Sequence, residues 1–281
     1  MLAIMGGTGL YELAGLTVLK KLSTQTPFGE SSGDILLGKI GRYDILFLAR
    51  HGKGHRLLPH EINYRANIFA LKQAGATMIL GLSAVGSLRM DLEPGDLVMP
   101  EQYFDWTKGE RERTFFGGGV AAHVSTAKPV SATLVEAVKH AGNTIGQIVN
   151  RGATYACVSG PRLGTKAESN FLRQVGCDIV GMTNVPEVFL AREAQIAYAT
   201  IGMVTDYDCW LEDDAMHVNA LGIFELYNKT LAKGLKVIEA LLMGDLPAPE
   251  PEIRTALAMA TLTPDTSLNA EQIAFMTVLR R

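Results

Sequence analysis

Two carboxyl groups are the most pointed chemical feature of the sequence. Asp206 and Asp208 follow directly on an apolar run that ends at Val204. Alternate residues of an extended segment share one face, so the two carboxyl groups are predicted to face the same way. In an enclosed site they would serve hydrogen-bond recognition or general-acid catalysis. An isolated aspartate here would more often cap a turn, but two of them beside a buried strand favour the functional interpretation.

Three further segments carry groups that suit a small anion, and each follows an apolar run. Arg50-His51 places a planar guanidinium beside a second donor, although a surface ion pair explains the same residues. Gly6-Gly7-Thr8-Gly9 offers backbone N–H groups and one hydroxyl, although a plain tight turn would need the same residues. Ser83-Ala84 adds a hydroxyl and an N–H group, or is simply a packing turn of small residues.

The residue types that bind metals are not arranged to do so. His51, His55 and His60 lie in one loop region, where Glu61 is the only carboxylate nearby. The chain also lacks the G-x-S-x-G elbow of the serine hydrolases. We therefore expect no bound metal and no serine hydrolase chemistry.

The polar clusters stand at the ends of apolar runs that alternate with helical patterns. Strands are predicted at 2–5, 43–49, 78–82, around Tyr155, at 178–182 and at 197–204. Helices are predicted at 63–75, 130–141, 166–175, 185–194 and 224–242. This alternation indicates an α/β layered fold with a substantially parallel sheet, in which the strand ends carry the ligand site.

A change of composition after Gly244 divides the chain. The run Pro247-Ala-Pro-Glu-Pro251 is stiff and extended and does not continue a helix. We predict one main domain at 1–244 and a tail at 245–281 that is too short for a core of its own. Within the tail, Asn269 is predicted to cap a short helix that reaches Leu279. The tail is expected to pack on its own subunit or on a neighbour.

Composition narrows the class of protein. Hydrophobic residues make up 47% of the chain, enough for a sizeable core, and the net charge of −3 provides no field for a nucleic acid or an anionic membrane. The three cysteines, Cys157, Cys177 and Cys209, lack the spacing of a disulfide framework or a zinc site. With no signal sequence or membrane span in view, we expect a cytoplasmic protein.

Several motifs occur together and in a consistent order over about residues 2 to 242. They are Gly6-Gly-Thr-Gly9, Leu48-Ala-Arg-His-Gly52, Asn63-Tyr-Arg-Ala-Asn67, Gly86-Ser87, Pro94-Gly-Asp96, Gly160-Pro-Arg162, Gly181-Met-Thr-Asn-Val-Pro-Glu187 and Thr205-Asp-Tyr-Asp-Cys-Trp210. In these motifs the chain resembles the 5′-methylthioadenosine phosphorylases of the trimeric purine nucleoside phosphorylase family. The resemblance implies a single-domain fold with a mixed, largely parallel twisted sheet flanked by helices. It also implies a homotrimer, with a hexamer as the alternative, and a reaction that uses inorganic phosphate and no metal or organic cofactor.

The resemblance assigns roles residue by residue. Phosphate would be held by Thr8, Arg50, His51, Ser83, the Ala84 backbone and Thr183. The nucleoside would contact Met182 at the ribose, Leu163 and Gly164 at the base, and His55, His123 and Val218 at the sugar's 5′ end, with His123 coming from a neighbouring subunit. Asp206 would deliver or share a proton at purine N7, and Asp208 would accept from an exocyclic amine or orient Asp206.

The choice of substrate depends on a few positions. Relatives specific for 6-oxopurines carry asparagine in place of Asp206 and often glutamate in place of Gly164, so adenine is the expected base. Val218 aligns with an apolar residue that suits a 5′-methylthio group, whereas a shift by one residue would place His217 there. We expect phosphorolysis of 5′-methylthioadenosine. The alternatives are a phosphorylase for adenosine or for 6-oxopurine nucleosides (methylthioinosine, inosine or guanosine), and a nucleoside-binding module without turnover.

Overall fold

The computed structural model describes residues 1–7, 13, 15–109, 111–211 and 220–281, with the side chains of 220–224 left aside. Its strands are β1 (Leu2–Gly6), β2 (Thr17–Leu22), β3 (Gln25–Thr26), β4 (Gly29–Glu30), β5 (Ile35–Ile40), β6 (Tyr43–Ala49), β7 (Met78–Ser87), β8 (Leu97–Trp106), β9 (Val149–Val158), β10 (Ile179–Gly181) and β11 (Ala197–Asp206). Its helices are α1 (Tyr64–Gln73), α2 (Ala132–Thr144), α3 (Lys166–Gln174), α4 (Asn184–Glu193), α5 (Ala220–Met243), α6 (Pro251–Arg254) and α7 (Ala270–Leu279).

Nine of these strands form one sheet in the order β10-β9-β8-β11-β7-β1-β6-β5-β2. The pairs β1–β6, β1–β7, β7–β11, β8–β9 and β9–β10 are parallel, whereas β2–β5, β5–β6, β7–β10 and β8–β11 are antiparallel. The α/β fold with a mixed, largely parallel sheet is therefore confirmed. Since β1, β6, β7 and β11 run the same way, their carboxyl ends meet at one edge of the sheet.

The core lies on both faces of this sheet. Along β1, Ala3 and Met5 belong to one buried cluster, while Leu2 and Ile4 belong to the other. This alternation follows from the two-residue period of a strand, which sends successive side chains to opposite faces. Because both faces are covered, the strand is apolar at every position, as is typical of buried parallel strands.

Three strands of the large sheet were missing from the sequence prediction, each for a physical reason, as was the two-residue pair β3 and β4. β2 lies at the edge of the sheet with five of its six residues exposed, so it has no apolar face to reveal it. β5 pairs with β2 and has a mixed pattern of burial. β8 is interrupted by Pro100, where the pairing with β9 shifts register, and its second half is only partly buried.

Two strands extend beyond their predicted ends at residues 82 and 204. β7 continues through Ser83 to Ser87, where it pairs with both β10 and β11, so Ser83-Ala84 lies inside a strand rather than in a turn. β11 continues to Asp206, which is its last residue. These extensions bring both segments to the edge of the sheet where the polar residues gather.

The tail at 245–281 packs against the body of its own chain. Leu257, Leu268, Met276 and Leu279 are buried in the same cluster as Ala3 and Met5. The helix α7 begins after Asn269, which caps it in a reciprocal pair with Gln272. None of the helices in the described ranges combines the length and the apolar character that crossing a membrane requires.

Candidate active site

A cavity of about 680 Å³ opens at the carboxyl ends of the central strands. This volume falls in the range of sites for small organic ligands. Most of the side chains that the sequence singled out lie around it. Its lining includes Arg50, His51, His55, Ser83, Ala84, Leu163, Gly164, Met182, Thr183, Asp206 and Asp208.

Arg50 is fixed at the floor of the cavity by a buried ion pair. Its Nε and Nη2 atoms donate to the two carboxylate oxygens of Glu187 at 2.6 and 2.8 Å, and Nη1 donates to the Leu82 carbonyl at 2.8 Å. Burial alone would lower the pKa of Arg50, but the Glu187 carboxylate outweighs burial and raises it. The guanidinium therefore stays charged, and one Nη1 hydrogen is left for another acceptor.

Glu187 is a site residue that the sequence analysis did not assign. The Tyr198 hydroxyl donates to it at 2.6 Å, and the Thr200 hydroxyl donates to Tyr198 at 2.7 Å. The only sequence signal was its place at the end of the motif Gly181–Glu187. A carboxylate three residues into the helix α4 reads as an ordinary helix residue until the fold brings it to Arg50.

His51 lies beside Arg50 but is not a second cation. Its Nδ1 is 2.8 Å from the Leu57 carbonyl, and its ring stacks on His55 with centroids 4.0 Å apart. Burial, aided by Arg50 and His55, lowers the pKa of His51 to about 4, although the Leu57 carbonyl acts in the opposite direction. The ring is neutral at pH 7 and its Nδ1–H donates to Leu57, so Nε2 is a hydrogen-bond acceptor.

Three hydroxyl groups meet next to Arg50 and His51, at a place that we call the anion corner. Ser83 Oγ is 3.3 Å from the Tyr155 hydroxyl and 3.4 Å from Thr183 Oγ1. Thr183 is the N-cap of α4 and forms no side-chain cap with the helix. Its hydroxyl is thus available to an anion, whereas the start of α4 adds few N–H donors, because the Val185 N–H donates to Cys157 Sγ and Pro186 has none.

Asp206 and Asp208 stand farther along the same edge. The Thr205 hydroxyl donates to Asp206 Oδ1 at 2.7 Å, and the Asp208 N–H donates to Asp206 Oδ2 at 3.0 Å. Asp208 has φ of +51°, so the chain turns here and the expectation of one extended face was wrong. Both carboxyl groups nevertheless line the cavity.

The environment of Asp206 favours its neutral form. Burial raises the pKa of this carboxyl, and the charge of Asp208 adds to the effect, while the bonds from Thr205 and the Asp208 backbone oppose it. The position of the group follows from β7: a Cβ built on Gly86 would lie 3.5 Å from Asp206 Oδ2. Gly86 is three residues from Ser83, about 10 Å along a strand. The hydroxyl cluster and the carboxyl are therefore spaced to flank a ligand of nucleoside size.

The cavity wall between the hydroxyl cluster and the Asp206 carboxyl is built by close packing. Gly160 has φ of +65°, and a Cβ there would lie 2.5 Å from Met182 Sδ. Leu163 is 74% exposed at the rim, and the Gly164 carbonyl accepts from the Cys209 thiol at 3.4 Å. Further lining residues that the sequence did not single out include Trp106, Lys108, Ser159, Glu168 and Tyr227.

Three predicted residues are not in this group. His123 is exposed, its N–H donates to the Ala260 carbonyl, and it does not line the cavity of its own chain. Its assignment to a neighbouring subunit stays a prediction. Thr8 and Val218 lie outside the described residues.

An α/β fold whose mixed sheet carries a hydroxyl-lined anion corner and a pair of carboxyl groups at one edge is the architecture of a nucleoside phosphorylase. The chain belongs to the phosphorylase superfamily, whose model matches residues 1–242. The resemblance drawn from the motifs is thereby confirmed.

Similar proteins agree on one activity. The S-methyl-5′-thioadenosine phosphorylase of Rhodospirillum rubrum is 47% identical over 253 residues, which are 90% of this chain and 86% of that protein. The crystal structure of a methylthioadenosine phosphorylase from an antarctic soil metagenomic library has a TM-score of 0.92 and 42% identity, and the match covers 99% of this chain and 98% of the other. A mutant adenosine/methylthioadenosine phosphorylase of Schistosoma mansoni in complex with methylthioadenosine has a TM-score of 0.79 and 35% identity, with 86% and 90% covered. The likeness to the antarctic structure extends through the tail, beyond the motifs.

Proposed function

We propose that this chain catalyses the phosphorolysis of 5′-methylthioadenosine by inorganic phosphate, which yields adenine and 5-methylthioribose 1-phosphate. The enzyme is a pentosyltransferase, as are its relatives named S-methyl-5′-thioadenosine phosphorylase. The observation that carries the proposal is Asp206, a partly buried carboxyl with a raised pKa that lines the same cavity as Arg50. Phosphate is a co-substrate, and no metal or organic cofactor takes part.

The chemistry follows from the charges that develop. As the bond between C1′ and N9 breaks, its electron pair moves to the purine, and positive charge builds on the ribose. A phosphate oxygen then forms the new bond to C1′. Phosphate held by Arg50, Ser83, the Ala84 backbone and Thr183 stabilises the cationic sugar and is positioned for attack. His51, with its acceptor Nε2, suits a phosphate oxygen that still carries a proton.

At the other end the leaving base requires a proton. Asp206, whose pKa is raised by burial, delivers or shares that proton at N7, so the purine departs without a full negative charge. Asp208 accepts from the 6-amino group or orients Asp206 through its backbone N–H. An acceptor at this place selects adenine, because a 6-oxopurine presents an oxygen there.

The remaining contacts belong to the sugar and its 5′ end. Met182 packs along the ribose, with Leu163 and Gly164 at the base. We assign the 5′-methylthio group to His55 and Val218, with His123 contributed by a neighbouring subunit. A site shared in this way requires a homo-oligomer, for which we propose a trimer. With three free thiols in the chain, we place the enzyme in the cytoplasm, in purine and methionine salvage.

A substrate panel tests this function. Methylthioadenosine, adenosine, methylthioinosine and inosine are each incubated with and without phosphate, and the released base is measured by chromatography. We expect adenine from methylthioadenosine, and only with phosphate. Release of hypoxanthine with adenine nucleosides untouched would assign the enzyme to 6-oxopurines. Binding without any release of base would identify a binding module.

A further inference from the structure

The anion corner has fewer donors than its sequence suggests. Two of the three guanidinium nitrogens of Arg50 donate to Glu187, one of these also donates to the Met5 carbonyl at 3.5 Å, and the third nitrogen donates to Leu82. His51 is neutral, with its N–H directed to Leu57. A phosphate dianion in this corner therefore meets one remaining Arg50 hydrogen, the Ser83 and Thr183 hydroxyls and backbone N–H groups. It requires further donors, because charged oxygens in a low-dielectric site must be paired.

Tyr227 brings such a donor from an element not otherwise assigned to the site. It lies on α5, and its ring packs against the buried cluster on that face of the sheet. Its side chain reaches the lining of the cavity together with Gly7 and Arg50. A Cβ built on Gly7 would lie 3.2 Å from the Tyr227 hydroxyl, which places that hydroxyl directly beside the Gly6-Gly7 turn.

The Tyr227 hydroxyl has the protonation state that an anion needs. Burial raises its pKa, and the nearby Arg50 charge acts in the opposite direction, so the phenol keeps its proton at pH 7. No residue in the described part of the chain forms a hydrogen bond with it. A phenolic O–H near a guanidinium, with no acceptor among the described residues, can donate to a bound ligand.

We propose that the Tyr227 hydroxyl is a further phosphate-binding group, which donates to a phosphate oxygen between Gly7 and Arg50. The inference rests on the proposed function, since the anion is the co-substrate of that reaction. It also accounts for Gly7, because any side chain there would occupy the space between the phenol and the turn.

The test compares Tyr227→Phe with the wild-type enzyme in steady-state phosphorolysis, varying phosphate and methylthioadenosine separately. A hydrogen bond to a charged group is lost, so we expect the KM for phosphate to rise about tenfold or more, with the KM for the nucleoside little changed. The matched control is Tyr43→Phe, since the Tyr43 hydroxyl bonds to Gly244 and Leu246, away from the cavity. A second measurement, the phosphate concentration that raises the Tm by a fixed amount, requires no turnover and should shift in parallel.

Each other outcome has one meaning. An unchanged phosphate KM in Tyr227→Phe overturns the inference, as does a rise confined to the nucleoside KM, which would assign the hydroxyl to the ribose. A fall in kcat alone overturns it as well. If the wild-type enzyme releases no base with phosphate, the proposed function itself fails, and the thermal measurement still decides whether Tyr227 binds phosphate.

Discussion

Arg50 and Glu187 form a bidentate ion pair with both side chains almost completely buried, 2% and 1% exposed, at the floor of the cavity. The pair joins the end of β6 to the first turns of α4. It fixes the guanidinium plane, and with it the one Nη1 hydrogen that faces the anion corner. The same contact thus serves the fold and, in the reaction that we propose, the binding of phosphate.

Removing one partner of this pair should damage both roles. In Glu187→Gln the buried Arg50 charge loses its carboxylate, and we expect a loss of about 3–5 kcal/mol in the free energy of unfolding, with weaker use of phosphate. Urea unfolding and the KM for phosphate measure the two effects. The double variant Arg50→Met, Glu187→Leu should recover much of the stability but not the phosphate dependence. Equal recovery of both would remove Arg50 from the anion site.

Asp206→Asn tests proton delivery to the base. An amide keeps the shape but has no acidic proton, so kcat for methylthioadenosine should fall on the order of 10²-fold or more. Asp44→Asn, an exposed position on β6, serves as the control. A nearly silent Asp206→Asn would exclude this residue from the mechanism.

The pH profile gives an independent test of Asp206. Because the pKa of Asp206 is raised, its protonated form persists to higher pH than in an ordinary aspartate, and turnover should decline as pH rises through that pKa. This limb should be absent from the Asp206→Asn profile. If both enzymes show the same limb, another group controls it.

The variant Gly181→Ala tests the packing beneath the hydroxyl cluster of Ser83, Tyr155 and Thr183. A Cβ at this position would lie 1.9 Å from the Tyr155 hydroxyl, so Gly181→Ala must displace the tyrosine that contacts Ser83. We expect about 1–3 kcal/mol of destabilisation and a raised KM for phosphate. Gly33→Ala is a suitable comparison, since the added carbon would stand at an ordinary 3.7 Å from its nearest neighbour. Wild-type stability and KM in Gly181→Ala would contradict the geometry of this corner.

Lys72 makes stability depend on pH. This lysine is 3% exposed and its Nζ has no hydrogen-bond partner among the described residues. Burial, with a contribution from Arg254, lowers its pKa to about 7 from 10.5. Between these two pH values the unfolded chain binds more protons than the folded one, so the stability of the wild-type protein should rise with pH there and level off outside.

The variant Lys72→Met removes this dependence. It should be more stable than the wild type at neutral pH. Between pH 7 and 10 the slope of its unfolding free energy against pH should be smaller than that of the wild type by about 1.4 kcal/mol for each pH unit. Urea unfolding at several pH values measures the slope. Lys236→Met, an exposed lysine on α5, should leave the slope as it is. A slope retained in Lys72→Met would assign it to another group.

The sequence predicted the features that depend on local pattern. The buried strands β1, β6 and β11 and the capped helix α7 could be read from apolar runs and from Asn269. β2 could not, because an edge strand with exposed lysines has no apolar period to detect.

At the site, the sequence indicated the chemistry of single residues but not which residues pair with one another. Arg50 was predicted to be an anion ligand, whereas its partner Glu187 lies 137 residues away and becomes visible only when the sheet brings the two segments together. Tyr227 was missed for a similar reason, since a tyrosine in a long amphipathic helix reads as core. The turn at Asp208 depends on a hydrogen bond to Asp206 that spacing alone does not reveal.

Cys209, whose thiol rests against the Gly164 carbonyl, gives the cavity wall a chemical handle. The other two cysteines are buried, so a maleimide dye should react first at this one. Burial and the neighbouring Asp208 raise the pKa of the Cys209 thiol, which slows this reaction. A fluorophore attached there would sit beside Gly164, where we propose that the base binds, and should report its arrival and departure in real time.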